Sequence, residues 1–461
     1  MTMSSTALDI KNIDAFPSNE VEAMPDEEAV KCPESLSTES DSHNIAKMIL
    51  YYYDVFEKST IQEIENRIMN EAQDYCPVDN VRILEAYVEA GHRPMHILKT
   101  LLFRLKKNTD GLDSTQACDA LFVISSLSFT DKILIQKLVD IVANDVDEQV
   151  CNELVTGRLV SHMGRLRHFD ERLLEKISNA LAQDLESLVF KTFHSYAVSS
   201  AYLNYNPIDS KSHTNILNFL VSKMTSYEEV TEKIVEERRV GVWLDIVWSL
   251  SLLGFSNQNL LESVLNEDFI DKIINKSDCK NVGQIRKLLN INAIAQFIDK
   301  EYKGPTIDMA GSPLLCDNNM FSKKDSFTSV CIDIFSRFAS PPNHAKVYPD
   351  TGMGFCIGAE AVIHKKSLQP MDIKRYGIFG VPTQENYTSL PDDFERLAMV
   401  PAGYLDTNHN GSFGGILDLK IRLLKSRGFK VLVIPRVEIL ALPFKTDKVK
   451  HVAKIFKKVM S

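Results

Sequence analysis

The chain has 461 residues, a net charge of −10 and a 44% apolar share, a balance that fits a globular chain of about two to four domains. Such a charge excludes a protein that is basic throughout, yet the charge is unevenly placed. Residues 1–42 hold ten acids against Lys11 and Lys31, whereas residues 411–461 hold twelve Lys and Arg against Asp418, Glu438 and Asp447. A basic terminus can bind phosphate while the whole chain stays acidic. No run approaches the roughly 20 apolar residues of a membrane span, and the most apolar stretch, Trp243–Phe255, contains Asp245. The eight cysteines are scattered, with no C-x-x-C spacing and no His pair to complete a zinc set. They read as reduced thiols in a reducing compartment, with no metal and no cofactor called for.

Residues 1–42 are rich in Ser, Glu, Asp and Pro and poor in aromatics, which predicts disorder. This segment lacks the apolar core of a secretory signal. Its acidic, Arg-free composition is also the opposite of a mitochondrial transit peptide. From Asn44 onwards, long amphipathic segments with few prolines predict helices.

These helices carry a weak repeat. EAYVEAGHRPMHILKTLL (85–102), VISSLSFTDKILIQKLV (123–139), SHMGRLRHFDERLLEKI (161–177) and WSLSLLGFSNQNLLESVL (248–265) each read as helix, short turn, helix. Apolar anchors pair seven positions apart across the turn: Val88/Met95, Leu127/Leu134, Leu166/Leu173 and Leu253/Leu260. A more divergent copy, AVSSAYLNYNP (197–207), is anchored at Leu203. The first anchors lie 39, 39, 37 and 50 residues apart. Helix hairpins at this period predict an α-solenoid, in which each hairpin buries its face against its neighbours; an irregular helical bundle is the alternative. Asp131, Asp170 and Asn257 sit where the second helix needs an N-cap.

After Asn275 the repeat fades. Ile285–Lys300 predicts one more helix, 305–325 a linker, and Ser326–Phe338 a short helix or strand. Residues 341–355 are turn-rich. Strands are then predicted at Phe355–Ile363, Tyr376–Val381, Ala398–Val400 and Val431–Ile434. Between the last two, Leu419, Leu423 and Leu424 line one face of a basic helix that Gly428 stops. The continuous β-branched run Val431–Ile434 predicts a strand buried on both faces. Lys445–Ser461 predicts a basic closing helix whose apolar face is Val449, Val452, Ile455, Phe456 and Val459. The fold class is therefore mostly α: a helical-hairpin array followed by a small α/β domain.

Three segments carry a family resemblance. VWSLSLLGFSNQNLLESVLNEDFI (247–270) and IRKLLNINAIAQFIDKEYKGP (285–305) are similar to the leucine-rich segments of the FAST kinase-domain-containing family. LKIRLLKSRGFKVLVIPRVEI (419–439) resembles the end of that family's C-terminal RAP domain, although Arg436-Val-Glu438-Ile439 stands where the family usually has an aromatic pair. After the acidic segment at 1–42 that composition predicts to be disordered, the resemblance implies a helical-repeat domain at 43–275, a second FAST-type region with linker at 276–372, and a restriction-endonuclease-like RAP domain at 373–461. It also implies a protein of the mitochondrial matrix that binds single-stranded mitochondrial transcripts and controls their stability or processing, with RNA-granule proteins as further partners; the acidic 1–42 segment, unlike a transit peptide, leaves a cytosolic location as the alternative.

The residues speak against kinase chemistry. Gly352-Met-Gly354-Phe-Cys-Ile-Gly358 is one residue too long for G-x-G-x-x-G, and there is no H-R-D or D-F-G. A metal-dependent endoribonuclease would need acids at adjacent strand ends. Gly380, Val381 and Pro382 stand where a RAP domain often has an Asp, with Glu385, Asp392, Asp393 and Asp406 off the pattern, and Asp418 reads as a helix-start acid. No catalytic or metal-ligating residue is therefore assigned. RNA contact is assigned to Lys420, Arg422, Lys425, Arg427, Lys430 and Arg436, continued by Lys445, Lys448, Lys450, Lys454, Lys457 and Lys458. Near the hairpin turns, His92, Arg93, Arg165, Arg167 and His168 are lesser candidates for base reading. Trp243 and Trp248 read as packing residues. A protein-binding helical scaffold is the remaining rival to RNA binding.

Overall fold

A computed structural model describes residues 41–147, 153–224, 227–232, 234–275, 282–308, 326–373 and 390–461. Of the segment expected to be disordered (1–42), residues 1–40 lie outside the described residues and Asp41 and Ser42 begin a helix; the predicted strand Tyr376–Val381 and most of the 305–325 linker also lie outside them. The described residues form two compact units, one of those up to 199 with 210–216, the other of 200–209 with those from 217 onwards.

The first unit is a stack of helix pairs: α1 (Asp41–Tyr52) with α2 (Lys58–Glu71), α3 (Pro77–Glu89) with α4 (Met95–Lys107), α5 (Ser114–Ser126) with α6 (Lys132–Asp147), and α7 (Glu153–Leu166) with α8 (Glu171–Leu181). α1, α3, α5 and α7 pack in succession as one layer, and α2, α4, α6 and α8 as the other. α9 (Phe190–Leu203) and α10 (Lys211–Lys223) follow, and the unit boundary passes through both. Gly157 and Gly164 let α7 approach α9 closely: a Cβ at Gly164 would sit 2.6 Å from the Ser199 hydroxyl.

The predicted caps form. The Asp170 carboxylate accepts from Leu173 N at 3.1 Å, Asn257 from Leu260 N at 3.0 Å, and Asp131 from Leu134 N at 3.1 Å. A second turn signal accompanies them. Gly91, Ser128, Arg167, Asn204 and Gly254 all take positive φ within two residues of a helix end. In each case the next residue's N–H reaches back five residues, as from Phe129 to Ile124 O at 2.9 Å and from Tyr205 to Ser200 O at 2.8 Å. This common turn corrects the register of the first hairpin. Ala90, not Val88, holds the place of Leu127 and Leu166; accordingly Met95 is exposed, while Ile97, seven residues after Ala90, is buried.

In the second unit, α11 (Tyr227–Thr231) leads to α12 (Glu236–Leu253), α13 (Gln258–Leu265), α14 (Glu267–Asn275) and α15 (Val282–Phe297), which pack together. α16 (Ser326–Phe335) settles the helix-or-strand alternative in favour of helix. β1 (Lys346–Val347), β2 (Ala359–His364), β3 (Phe394–Ala402) and β4 (Phe429–Pro435) form a sheet in the order β1-β2-β3-β4, antiparallel except for the parallel pair β3–β4. The crossover between β3 and β4 is α17 (Gly415–Ser426); α18 (Arg436–Ala441) and α19 (Lys445–Met460) close the chain. The molecule is thus mostly helical with a small α/β part, as the sequence predicts.

Alternation along the strands gives the sheet two buried faces. Ala361, Ile363, Leu397, Met399, Leu432 and Ile434 share a core with Phe327, Ile334 and Phe335 of α16 and Val452 and Phe456 of α19. The opposite set includes Val362, Ala398, Val400, Val431 and a buried ion pair, Glu360 with Arg396 at 3.3 Å. Gly428 ends α17 at φ +79°. β2 is shorter than predicted at its start, because Phe355–Gly358 belong to the preceding turn, and β3 is longer at both ends.

Candidate nucleic-acid interface

α17 presents Leu417, Leu419, Leu423 and Leu424 to the core, which leaves its basic positions on the outer half of the helix. Most of them have partners inside the second unit. Lys420 Nζ pairs with Asp406 Oδ1 at 3.1 Å. Arg422 Nε pairs with Asp418 Oδ2 at 2.8 Å, and its Nη2 donates to the Leu252 carbonyl at 2.8 Å, near the C-terminus of α12. The Arg427 guanidinium lies 4.3 Å from the Phe297 ring centroid, and that of Arg436 lies 5.4 Å from the Phe327 ring. Lys425 is exposed and Lys430 half-buried, and among the described residues neither has an ion-pair or hydrogen-bonding side-chain partner.

The partners of α17 explain this. Its N-terminus abuts the end of α9: a Cβ at Gly415 would overlap the Ala201 carbonyl oxygen. The preceding loop contributes Asn408, whose amide donates to Leu203 O at 2.9 Å. Asn408 and Arg422 therefore satisfy carbonyls at the ends of α9 and α12, which have no intrahelical partner of their own. An arginine in this position reads as a phosphate ligand in the sequence, but its guanidinium is occupied by a carbonyl and a carboxylate.

α19 differs. Val452 and Phe456 anchor it in the core, and Lys450, Lys454, Lys457 and Lys458 are exposed at helical spacings of four, seven and eight. At 100° per residue they fall within one stripe about 100° wide and about 12 Å long. Among the described residues none of the four has an ion-pair or hydrogen-bonding side-chain partner. Lys457 and Lys458 also favour the negative end of the helix dipole, but Lys450 and Lys454 lie too far from that end to do so. Lys445 pairs with Asp333, and Lys448 is half-buried.

The remaining sequence candidates sit in structural roles. His92 pairs with Asp54 at 3.3 Å and lies against the Tyr53 ring, and Arg93 Nη2 donates to Ser126 O at 3.1 Å. Arg167 is buried at the left-handed turn position, followed by His168; Arg165 is half-buried at the end of α7. Trp243 and Trp248 are both buried, and their indole N–H groups donate to Ser263 and Asn290. The glycine cluster at 352–358 does not form an open cradle. A Cβ at Gly354, φ +84°, would lie 2.7 Å from Arg286 O of α15, so this loop lies directly against a helix backbone. Asp406 and Asp418 are engaged by Lys420 and Arg422, and Glu385 lies outside the described residues. Among the described residues no three His, Cys, Asp or Glu side chains gather as a metal-ligand set. Burial pushes the Glu360 carboxyl up to about 7 despite Arg396, and it pushes the Cys356 thiol up to about 12. No helix of the described residues is long and apolar enough to cross a membrane.

Residues 193–274, from α9 to α14, match the family model of FAST kinase-like protein, subdomain 1. This match supports the FAST kinase-like resemblance over that segment. No match was found among curated proteins.

Proposed function

We propose that this chain is a non-catalytic RNA-binding regulator of mitochondrial transcripts, acting on their stability or processing in the mitochondrial matrix. The match of residues 193–274 to FAST kinase-like protein, subdomain 1, supports the general role. On this reading residues 373–461 serve as a RAP domain that holds single-stranded RNA. The observation that carries the proposal is the stripe of exposed lysines on α19, continued by Lys425 and Lys430. These side chains can give their charge to phosphates without breaking a contact inside the protein. Lys420, Arg422, Arg427 and Arg436 then position the α17–β4 framework and contribute charge at short range.

A filter-binding salt titration with single-stranded RNA tests it. Four lysines engaged with phosphate give a log–log salt slope of about −3. Changing Lys450, Lys454, Lys457 and Lys458 together to Ala is expected to flatten that slope by about 3. Absence of RNA binding at low salt, or an unchanged slope in the quadruple variant, would remove the surface assignment. Imaging of the tagged full-length product tests the compartment; a cytosolic signal would overturn it.

A further inference from the structure

Between β4 and α19 the chain makes a step whose outer side is apolar. α18 is held to the core by Ile439, which is fully buried. Its outer side carries Val437, 74% exposed, and Leu440, 52% exposed; Phe444, just beyond it, is 67% exposed. Large apolar side chains grouped in water mark a contact surface. Phe444 is mounted firmly. It is the N-cap residue of α19, and its carbonyl accepts from Asp447 N at 3.1 Å and Lys448 N at 3.2 Å. Its backbone is fixed by the helix start while its ring stands in solvent. Among the described residues it is the most exposed aromatic ring.

What could cover this step is narrowed by charge. Residues 436–461 carry Arg436 and six lysines against Glu438 and Asp447, a net charge of +5. A second copy meeting this face about a two-fold axis would bring lysines against lysines, which disfavours self-association. The apolar side of α19 faces the core and is not available to a bilayer or a partner helix. A ligand is needed that offers regularly spaced negative charge and a flat apolar face. Single-stranded nucleic acid has both, and a duplex hides its base faces in the stack. Lys450 begins the lysine stripe about 9 Å along the helix axis from Phe444.

We infer that Phe444 is a stacking platform for an unpaired base, and that the strand's phosphates continue over Lys450, Lys454, Lys457 and Lys458. The inference rests on the RNA-binding reading and adds to it a preference for unpaired strands and a specific aromatic contact. Val437 and Leu440 widen the apolar floor on which the base edge rests.

Phe444→Trp in the full chain gives a direct reporter. Trp243 and Trp248 are 1% and 2% exposed, so the introduced indole is the solvent-facing fluorophore. Titration with a single-stranded oligoribonucleotide is expected to quench it, and the same sequence as a duplex to leave it unquenched. Phe444→Ala is expected to weaken single-strand binding about 5- to 100-fold. Phe444→Leu should weaken it comparably, and Phe444→Trp should retain it, because a π-face is required and not merely apolar bulk. RNA binding that Phe444→Ala leaves unchanged overturns the inference but leaves the RNA-binding reading standing. Retained affinity in Phe444→Leu likewise overturns stacking. An indole that responds to phosphatidylserine-containing vesicles and not to RNA also overturns it, by making the step a membrane contact. No binding of any RNA by the unaltered chain overturns both readings.

Discussion

At the scale of single residues, the most demanding interaction is the buried pair of Asp245 on α12 and Lys287 on α15, 2.8 Å apart. Both side chains are almost fully enclosed. Charges in such a place persist only when paired, because each would otherwise lose its hydration without compensation. Lys287 Nζ also lies 5.5 Å from the Trp248 ring centroid, and the Trp248 indole donates to Asn290, whose amide donates to Met353 O at 2.6 Å. One polar chain thus ties α12, α15 and the glycine loop together. Lys287→Met strands the Asp245 carboxylate and is expected to cost about 3–5 kcal/mol in urea unfolding. Adding Asp245→Leu should recover most of that loss. A single-variant cost below about 1 kcal/mol would show that the pair is dispensable.

At the scale of elements, the hairpins were legible because their signals are local. N-caps and apolar anchors lie within one turn of the helices they define, and Leu127-Ser128-Phe129, Leu166-Arg167-His168, Leu203-Asn204-Tyr205 and Leu253-Gly254-Phe255 repeat the same left-handed turn. The first hairpin differs by two residues because Val88 and Met95 satisfy the spacing as well as Ala90 and Ile97 do; the left-handed turn at Gly91 and the burial of Ile97 against exposed Met95 separate them. The basic helix was legible as a helix but not as a surface. The Leu252 carbonyl lies 170 residues before Arg422, and no local pattern announces that contact. Phe444 went unread for the same reason, since an aromatic at a helix start is as often buried as exposed. These two kinds of basic residue can be separated by experiment. Arg422→Ala removes a carbonyl contact at the end of α12 and is expected to destabilise the second unit by about 0.5–1.5 kcal/mol. Lys425→Ala is expected to leave stability unchanged while lowering RNA affinity. Equal effects of the two on unfolding would place Lys425 among the structural contacts as well.

For the whole molecule, the buried titratable groups set a pH dependence that differs between the units. In the first unit, burial holds His213 down at about 4 and His162 well below its ordinary value. Tyr196 bridges Ser178, at 2.6 Å, to His213 Nδ1, at 2.8 Å. Unfolded, these histidines take up protons below about 6.5. The unfolded state then binds more protons than the folded one, and stability is lost as pH falls from about 6.5 towards 4. Glu85, raised to about 7 by burial and by the Asp119 and Glu89 charges, acts in the opposite sense over part of that range. In the second unit Glu360 is raised to about 7, chiefly by burial. It is protonated when folded at a pH where the unfolded chain has already released the proton. Its contribution is therefore complete below about 4.5 and is lost as pH rises through 7, by about 3 kcal/mol in all. Acid should thus open the first unit through its histidines while relieving the second at Glu360. Hydrogen exchange read peptide by peptide, corrected for intrinsic rates, resolves the two responses. Glu360→Gln is expected to flatten the slope of the second unit between pH 5 and 8 and to leave the first unit's slope unchanged. A second unit whose opening energy has the same pH slope with and without the substitution would mean that Glu360 stays ionised in the fold, and that Arg396 outweighs its burial.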